Sequence, residues 1–176
     1  NEADALVKAE LGSALIAAVV ERAKRNTPIA MTLEEAQSVE EAINNITESI
    51  ESVDPEDLPH RTAWVLNRST GHLLLGNSTA ALGDIETVVC FRPDDTEYRR
   101  QYAFVLHSNG QVAKAIECLR QIAAIENQSE AALMLVGMLC EQRMFDEALS
   151  AIENANGAGY DNEIWLEFER LHIHIL

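Results

Sequence analysis

Basic residues are scarce in this chain. Lys and Arg number 13 against 29 Asp and Glu, leaving a formal net charge of −16. A surface this acidic repels phosphate, which argues against nucleic-acid binding. Aromatics reach only 5%, and β-branched runs bounded by turn residues are nearly missing, so strands have little to form from. Long apolar runs are also lacking. The longest, Leu11 to Val20, is about half the ~20 residues a membrane span needs and reads as a buried helix face. The three cysteines, Cys90, Cys118 and Cys140, are odd in number and form no Cys-x-x-Cys pair, which excludes the usual zinc and redox motifs. Lying in apolar helical contexts, they read as small hydrophobes of a reducing compartment, and a cytoplasmic location is expected.

Catalytic signatures are missing as well. Gly71 to Gly76 lacks the Lys-Ser/Thr of a phosphate loop, and no Gly-x-Ser-x-Gly elbow occurs. His172 and His174 are two residues apart, so on a helix they point to different sides and do not share a metal. No enzyme activity, cofactor or metal is expected. Four Asn-x-Ser/Thr triplets begin at Asn45, Asn67, Asn77 and Asn127; two of these Asn fall inside predicted helices, and the triplets read as chance.

What is present favours helices. Apolar residues make up 47% of the 176 positions, with Ala and Leu plentiful, and both lose little side-chain freedom in a helix. A first helix is predicted from Glu2 to Arg25, with Leu6, Leu11, Leu15 and Val19 recurring at helical spacing. Asn26-Thr-Pro28 breaks it. Thr32 then reads as an N-cap, with Glu35 completing a capping box. The second helix carries Ala36, Val39, Ala42, Ile43, Ile46 and Ile50 on one face and ends near Ser52. Nine carboxylates and no Lys or Arg lie between Thr32 and Asp57, the mark of a solvated face. Pro59 suits the first turn of a third helix. Residues 1–57 therefore read as an N-terminal helical hairpin and 58–176 as a separate repeat region.

The repeat is visible in spacing. Gly76 and Gly110 are 34 residues apart, as are Ala81-Leu82 and Ala115-Ile116, and Ala148-Leu149 follows 33 residues later. A turn segment precedes each pair at one offset: Gly76-Asn-Ser78, Gly110-Gln-Val112 and Arg143-Met-Phe145. Asn109-Gly110 is a suitable helix stop. Pro93 separates units, Asp94 or Asp95 is placed to cap the next helix, and Asp161 to cap a last one over 162–176.

These features together resemble the tetratricopeptide repeat (TPR) family over about Thr62 to Leu176. The resemblance implies an all-α fold, a TPR-like right-handed α-α superhelix of helical hairpins, about three repeats with a terminal helix behind the N-terminal hairpin. Tyr102, Ala103 and Leu106, then Leu135, Val136 and Leu139, would form inner seams. Leu119 and Ile122, then Ile152 and Ala155, would complete the second helices. The first unit fits less well, carrying Arg68, Ser69 and Gly71 where apolar or small residues are expected, with Trp64 packing there after a one-residue shift.

The resemblance also implies a protein or peptide partner lying along first-helix residues. By alignment these are Leu66, Thr70 and Leu73, then Glu97, Arg100, Phe104 and His107, then Glu130, Leu133 and Glu141. The Lys-Asn clamp by which some TPR proteins hold acidic chaperone tails is missing: matching positions are Leu66, Arg100 and Leu133, then Thr70, Phe104 and Gly137. A partner with apolar anchors and basic flanks is expected instead, with no nucleic acid or membrane partner. Two alternatives stay open. One is a dedicated chaperone for an apolar export substrate, similar in size and layout to type III secretion translocator chaperones. The other is self-association through the Glu2–Arg25 helix.

Overall fold

Every element in the computed structural model is an α-helix among the residues it describes, 2–25, 31–54, 58–125 and 129–156. They run in order as α1 (Glu2–Arg25), α2 (Leu33–Ser52), α3 (Leu58–Leu74), α4 (Ser78–Phe91), α5 (Thr96–Ser108), α6 (Val112–Ile125), α7 (Ser129–Glu141) and α8 (Phe145–Asn156). The first four belong to a unit spanning Asn1–Pro93, the last four to one spanning Asp94–Leu176. The expected cap at Asp161 and the helix over 162–176, including His172 and His174, lie outside the described residues, as does the Ala155 side chain.

In the first unit, the start of α2 follows from its sequence. The Thr32 side chain accepts from the Glu35 backbone N–H, and the Glu35 carboxylate accepts from the Thr32 N–H at 2.8 Å. Arg22 of α1 reaches the same carboxylate. The Thr32 backbone bond is the main reason the Glu35 carboxyl sits below its ordinary range. Val39, Ala42, Ile43, Ile46, Ser49 and Ile50 are the buried residues of α2, while Ala36 is half-buried.

The stripe expected on α1 is corrected. Leu6 and Leu15 are only half-buried and Leu11 is 63% exposed; the inward stripe is Ala5, Ala9, Gly12, Ile16 and Val19. The cause is close approach. A Cβ at Gly12 would stand 2.9 Å from the Ala42 carbonyl oxygen, so α2 lies against α1 where the side chains are smallest, and larger Leu11 turns outward. The buried Ser49 hydroxyl is placed 2.7 Å from the Ala5 carbonyl oxygen and strengthens this contact.

The residues that fit poorly in α3 have specific partners. Gly71 is buried where a Cβ would meet Ile43 at 2.9 Å and Ile16 at 3.0 Å, so its missing side chain admits α3 against both preceding helices. Trp64 is buried as expected. The buried Ser69 hydroxyl donates to the Ala81 carbonyl at 2.9 Å. Arg68 forms a two-pronged pair with Asp84 of α4, Nε to Oδ2 at 2.9 Å and Nη2 to Oδ1 at 2.7 Å, and its Nη1 reaches Thr47 at 3.1 Å. Burial lowers the pKa of neighbouring His72, although Asp84 pulls it upward.

Each hairpin from α3 on closes through one turn. Gly76, Gly110 and Arg143 hold left-handed φ angles of 75°, 78° and 58°. The bonds around them repeat: Gly76 N–H to Leu73 and Asn77 N–H to His72, Gly110 to His107 and Gln111 to Leu106, Arg143 to Cys140 and Met144 to Leu139. This is the Schellman pattern, which satisfies the last carbonyls of a helix and reverses the chain. Four residues into each second helix stand Ala81, Ala115 and Ala148, all with no exposed surface. Their following residues differ: Ile116 is buried, Leu82 half-buried and Leu149 38% exposed.

In the second unit, Asp95 caps α5 by accepting from the Tyr98 N–H at 3.2 Å. Ala103, Val105 and Leu106 of α5, Leu119 and Ile122 of α6, Leu135, Val136 and Leu139 of α7 and Ile152 of α8 are buried, while Tyr102 is half-buried. Consecutive helices pack on one another from α5 to α8. The cysteines are not all core residues: Cys140 is buried, Cys118 half-buried, and Cys90 exposed at the end of α4.

Two outcomes test this packing. Gly110→Ala should lose about 1 kcal/mol in urea denaturation, whereas Arg143→Gly should gain a few tenths or more, because only glycine adopts the left-handed turn without a Cβ clash; an unchanged midpoint for both would deny the turns their role. Asp84→Ala should lose about 3 kcal/mol by stranding Arg68, and replacing both partners with apolar residues should recover much of it. A loss from Asp84→Ala below about 0.5 kcal/mol would make the pair a surface one.

Candidate functional site

The expected partner-binding residues of the second unit converge on one face made by α5 and α7. Glu97, Arg100, Phe104 and His107 recur at spacings of three, four and three, which aligns them along one side of α5. Glu130, Leu133, Gly137 and Glu141, at spacings of three, four and four, line one side of α7. Side-chain bonds join the two rows. Arg100 Nη2 holds Glu97 Oε2 at 2.6 Å on its own helix and Glu130 Oε2 at 3.2 Å across the face, while Nη1 lies 3.9 Å from the Met134 sulfur. Toward the other end, His107 Nε2 meets Glu141 Oε2 at 2.7 Å.

Between these two cross-links lies Phe104, 50% exposed although aromatic. On α7, the stretch between Met134 and Glu141 contains Gly137, where an added Cβ would have nothing within 4 Å. No close contact requires glycine there, and glycine in a helix interior costs about 1 kcal/mol relative to alanine. The face thus presents an exposed ring, a helix position with no side chain, and half-buried Leu133. Three carboxylates, Glu97, Glu130 and Glu141, border it against the single guanidinium of Arg100 and the imidazole of His107. Burial pushes the Glu97 carboxyl up, but bonds from Arg100 and Gln101 outweigh it and hold the carboxyl below its ordinary value.

In the first unit, Leu66, Thr70 and Leu73 are each half-buried along α3. The Thr70 hydroxyl donates to the Leu66 carbonyl at 3.2 Å, so this stripe offers apolar surface and little free polarity.

Met134 and Gly137 were not among the residues expected to bind. A signal for Met134 does exist. Arg100 and Met134, like His107 and Glu141, are separated by 34 residues, so the repeat period sets equivalent positions of successive first helices side by side.

Other features do not compete with this face. Among the described residues, no group of three or more His, Cys, Asp and Glu is placed to hold a metal ion, and no helix is long and apolar enough to cross a membrane. A cleft of about 100 Å³ beside Lys8, Glu48 and Ser49 is well below the ~300 Å³ of small-molecule sites.

No protein-family model and no curated protein matches the sequence. Solved structures do match in three dimensions. A Podosopora anserina protein named for kinesin light chain, with nearly identical TPR-like repeats, superposes with a TM-score of 0.65 at 18% identity, over 92% of this chain and 86% of its own. MamA superposes at 0.57 and 15% identity, over 81% of this chain and 94% of its own. A MamA RS-1 double mutant gives 0.57 at 16% identity, over 93% and 96%. At these identities the likeness concerns the fold alone. The chain has a TPR-like, all-α helical-repeat fold.

Proposed function

We propose that this chain is a non-catalytic interaction module that binds a protein or peptide partner on its first-helix faces. The half-exposed Phe104, framed by the Arg100 and His107 cross-links between α5 and α7 and bordered by carboxylates, is the observation that carries the reading. An apolar side chain of the partner would rest on Phe104 and Leu133, and the missing side chain at Gly137 would leave it room. Basic residues flanking it would meet Glu97, Glu130 and Glu141, and such pairing sets orientation and association rate more than affinity. Within the first unit, the α3 stripe of Leu66, Thr70 and Leu73 would be a separate, mainly apolar surface. A cytoplasmic setting accords with the three unpaired cysteines.

The test uses two variants that attack the face differently. Arg100→Ala with Phe104→Ala removes the anchor and the two ion pairs of Arg100, and should leave the helical circular dichroism intact within about 1 kcal/mol of stability. Gly137→Leu places a bulky side chain at the open position and should be at least as stable as the parent. Partners captured by the parent and identified by mass spectrometry should be lost, at least tenfold in affinity, from both variants. Retention by both would overturn the proposal for this face. Rescue of an apolar export protein's solubility, undiminished by either variant, would favour the dedicated-chaperone reading instead.

A further inference from the structure

Helix α1 is apolar on two opposite sides. Its inner stripe, Ala5 to Val19, is covered within the first unit, where α2 and α3 both pack on α1. On the far side Val7, Leu11, Ala14 and Ala18 form a second stripe without an intervening charge, all four exposed, Val7 by 68% and Leu11 by 63%. Their spacing of four, three and four residues is that of a seam between two helices. Apart from Phe104 on the proposed binding face, the other large exposed apolar side chains among the described residues are single, Leu33, Phe91 and Ile125 at helix ends and Leu149 within α8. Scattered residues of that kind need no cover, whereas an aligned stripe does.

Charge identifies the occupant. Glu2, Asp4, Glu10 and Glu21 balance Lys8, Arg22, Lys24 and Arg25, so α1 is neutral in a chain of −16. It is therefore a segment along which two copies approach without the repulsion that the rest of the chain imposes. The charge is also unevenly divided. Glu2, Asp4 and Glu10 against Lys8 leave residues 2–13 at −2, and Arg22, Lys24 and Arg25 against Glu21 leave residues 14–25 at +2. Counting the α2 partners Glu48 of Lys8 and Glu35 of Arg22 changes the halves to −3 and +1, still opposite in sign. An antiparallel copy sets each half against its opposite; a parallel copy sets like against like.

We infer that a second copy of this chain docks on the outer face of α1, the two helices antiparallel about a two-fold axis near Ala14. The small side chains of Ala14 and Ala18 let the helices approach, and Leu11 of each copy packs over the alanines of the other. Both copies use the same patch, so the contact closes at two. One helix on one helix buries less than a standard interface, which places the dimer in the weaker class.

Sedimentation of the 176-residue chain at about 100 μM, well above a micromolar Kd, should show a dimer. Leu11→Glu and Ala18→Glu, both at exposed positions, should each return it to monomer with unchanged circular dichroism. In a Cys90→Ser, Cys118→Ser background, Ala14→Cys should cross-link to a disulfide dimer under mild oxidation. Ala3→Cys should not, because its two copies would lie about 30 Å apart at 1.5 Å per residue. A monomer at that concentration would assign the stripe to a preceding segment or an unlike partner and overturn the inference. So would a dimer indifferent to both Glu variants, or efficient cross-linking through Ala3→Cys.

Discussion

Close approach of two helices depends on what stands between them, and here that is a methyl group or nothing. Ala81, Ala115 and Ala148 sit four residues into α4, α6 and α8 and keep no exposed surface. Each also donates the same bond, its N–H to the carbonyl of the residue just before its helix: Asn77, Gln111 and Met144 respectively. In the N-terminal hairpin the same requirement is met by different residues, Gly12 against the Ala42 backbone. Interiors packed as densely as crystals leave no slack for a larger side chain at such a point.

Most of this architecture was legible in the sequence because it is local or periodic. The Thr32-Glu35 capping box, the cap at Asp95 and the turns at Gly76, Gly110 and Arg143 are short-range patterns, and the recurring alanines announce themselves by spacing. The side of α1 that faces inward was not legible. Both of its sides are apolar, and hydrophobicity favours Leu11 over Ala5, Ala9 and Gly12, whereas packing distance favours the reverse. Arg68, Ser69 and Gly71 looked unsuited to α3 because their partners, Asp84, the Ala81 carbonyl and the side chains of Ile16 and Ile43, lie on other helices. Cys90 looked apolar in context yet lies exposed at a helix end.

The α5–α7 face was legible in part. Helical spacing alone aligns Glu97, Arg100, Phe104 and His107, and the repeat period brings the α7 row beside them. What spacing leaves open is whether Phe104 turns inward or outward. In the structure, burial of Ala103, Val105 and Leu106 on the inner side leaves Phe104 on the outer one. The polar cross-links then hold the two first helices in register while the ring stays accessible. Rigid hairpins of this kind present side chains without reordering, which limits the entropy lost on binding.

The equivalence of the three alanines is the point on which both the repeat fold and the placement of its first-helix faces rest. Urea denaturation of Ala81→Leu, Ala115→Leu and Ala148→Leu measures it directly. Each substitution should lower stability by about 1–3 kcal/mol, the range for overfilling a packed interior. A substitution tolerated without loss at any of the three would show that its helix does not approach its neighbour as the others do, and the repeat would not be one.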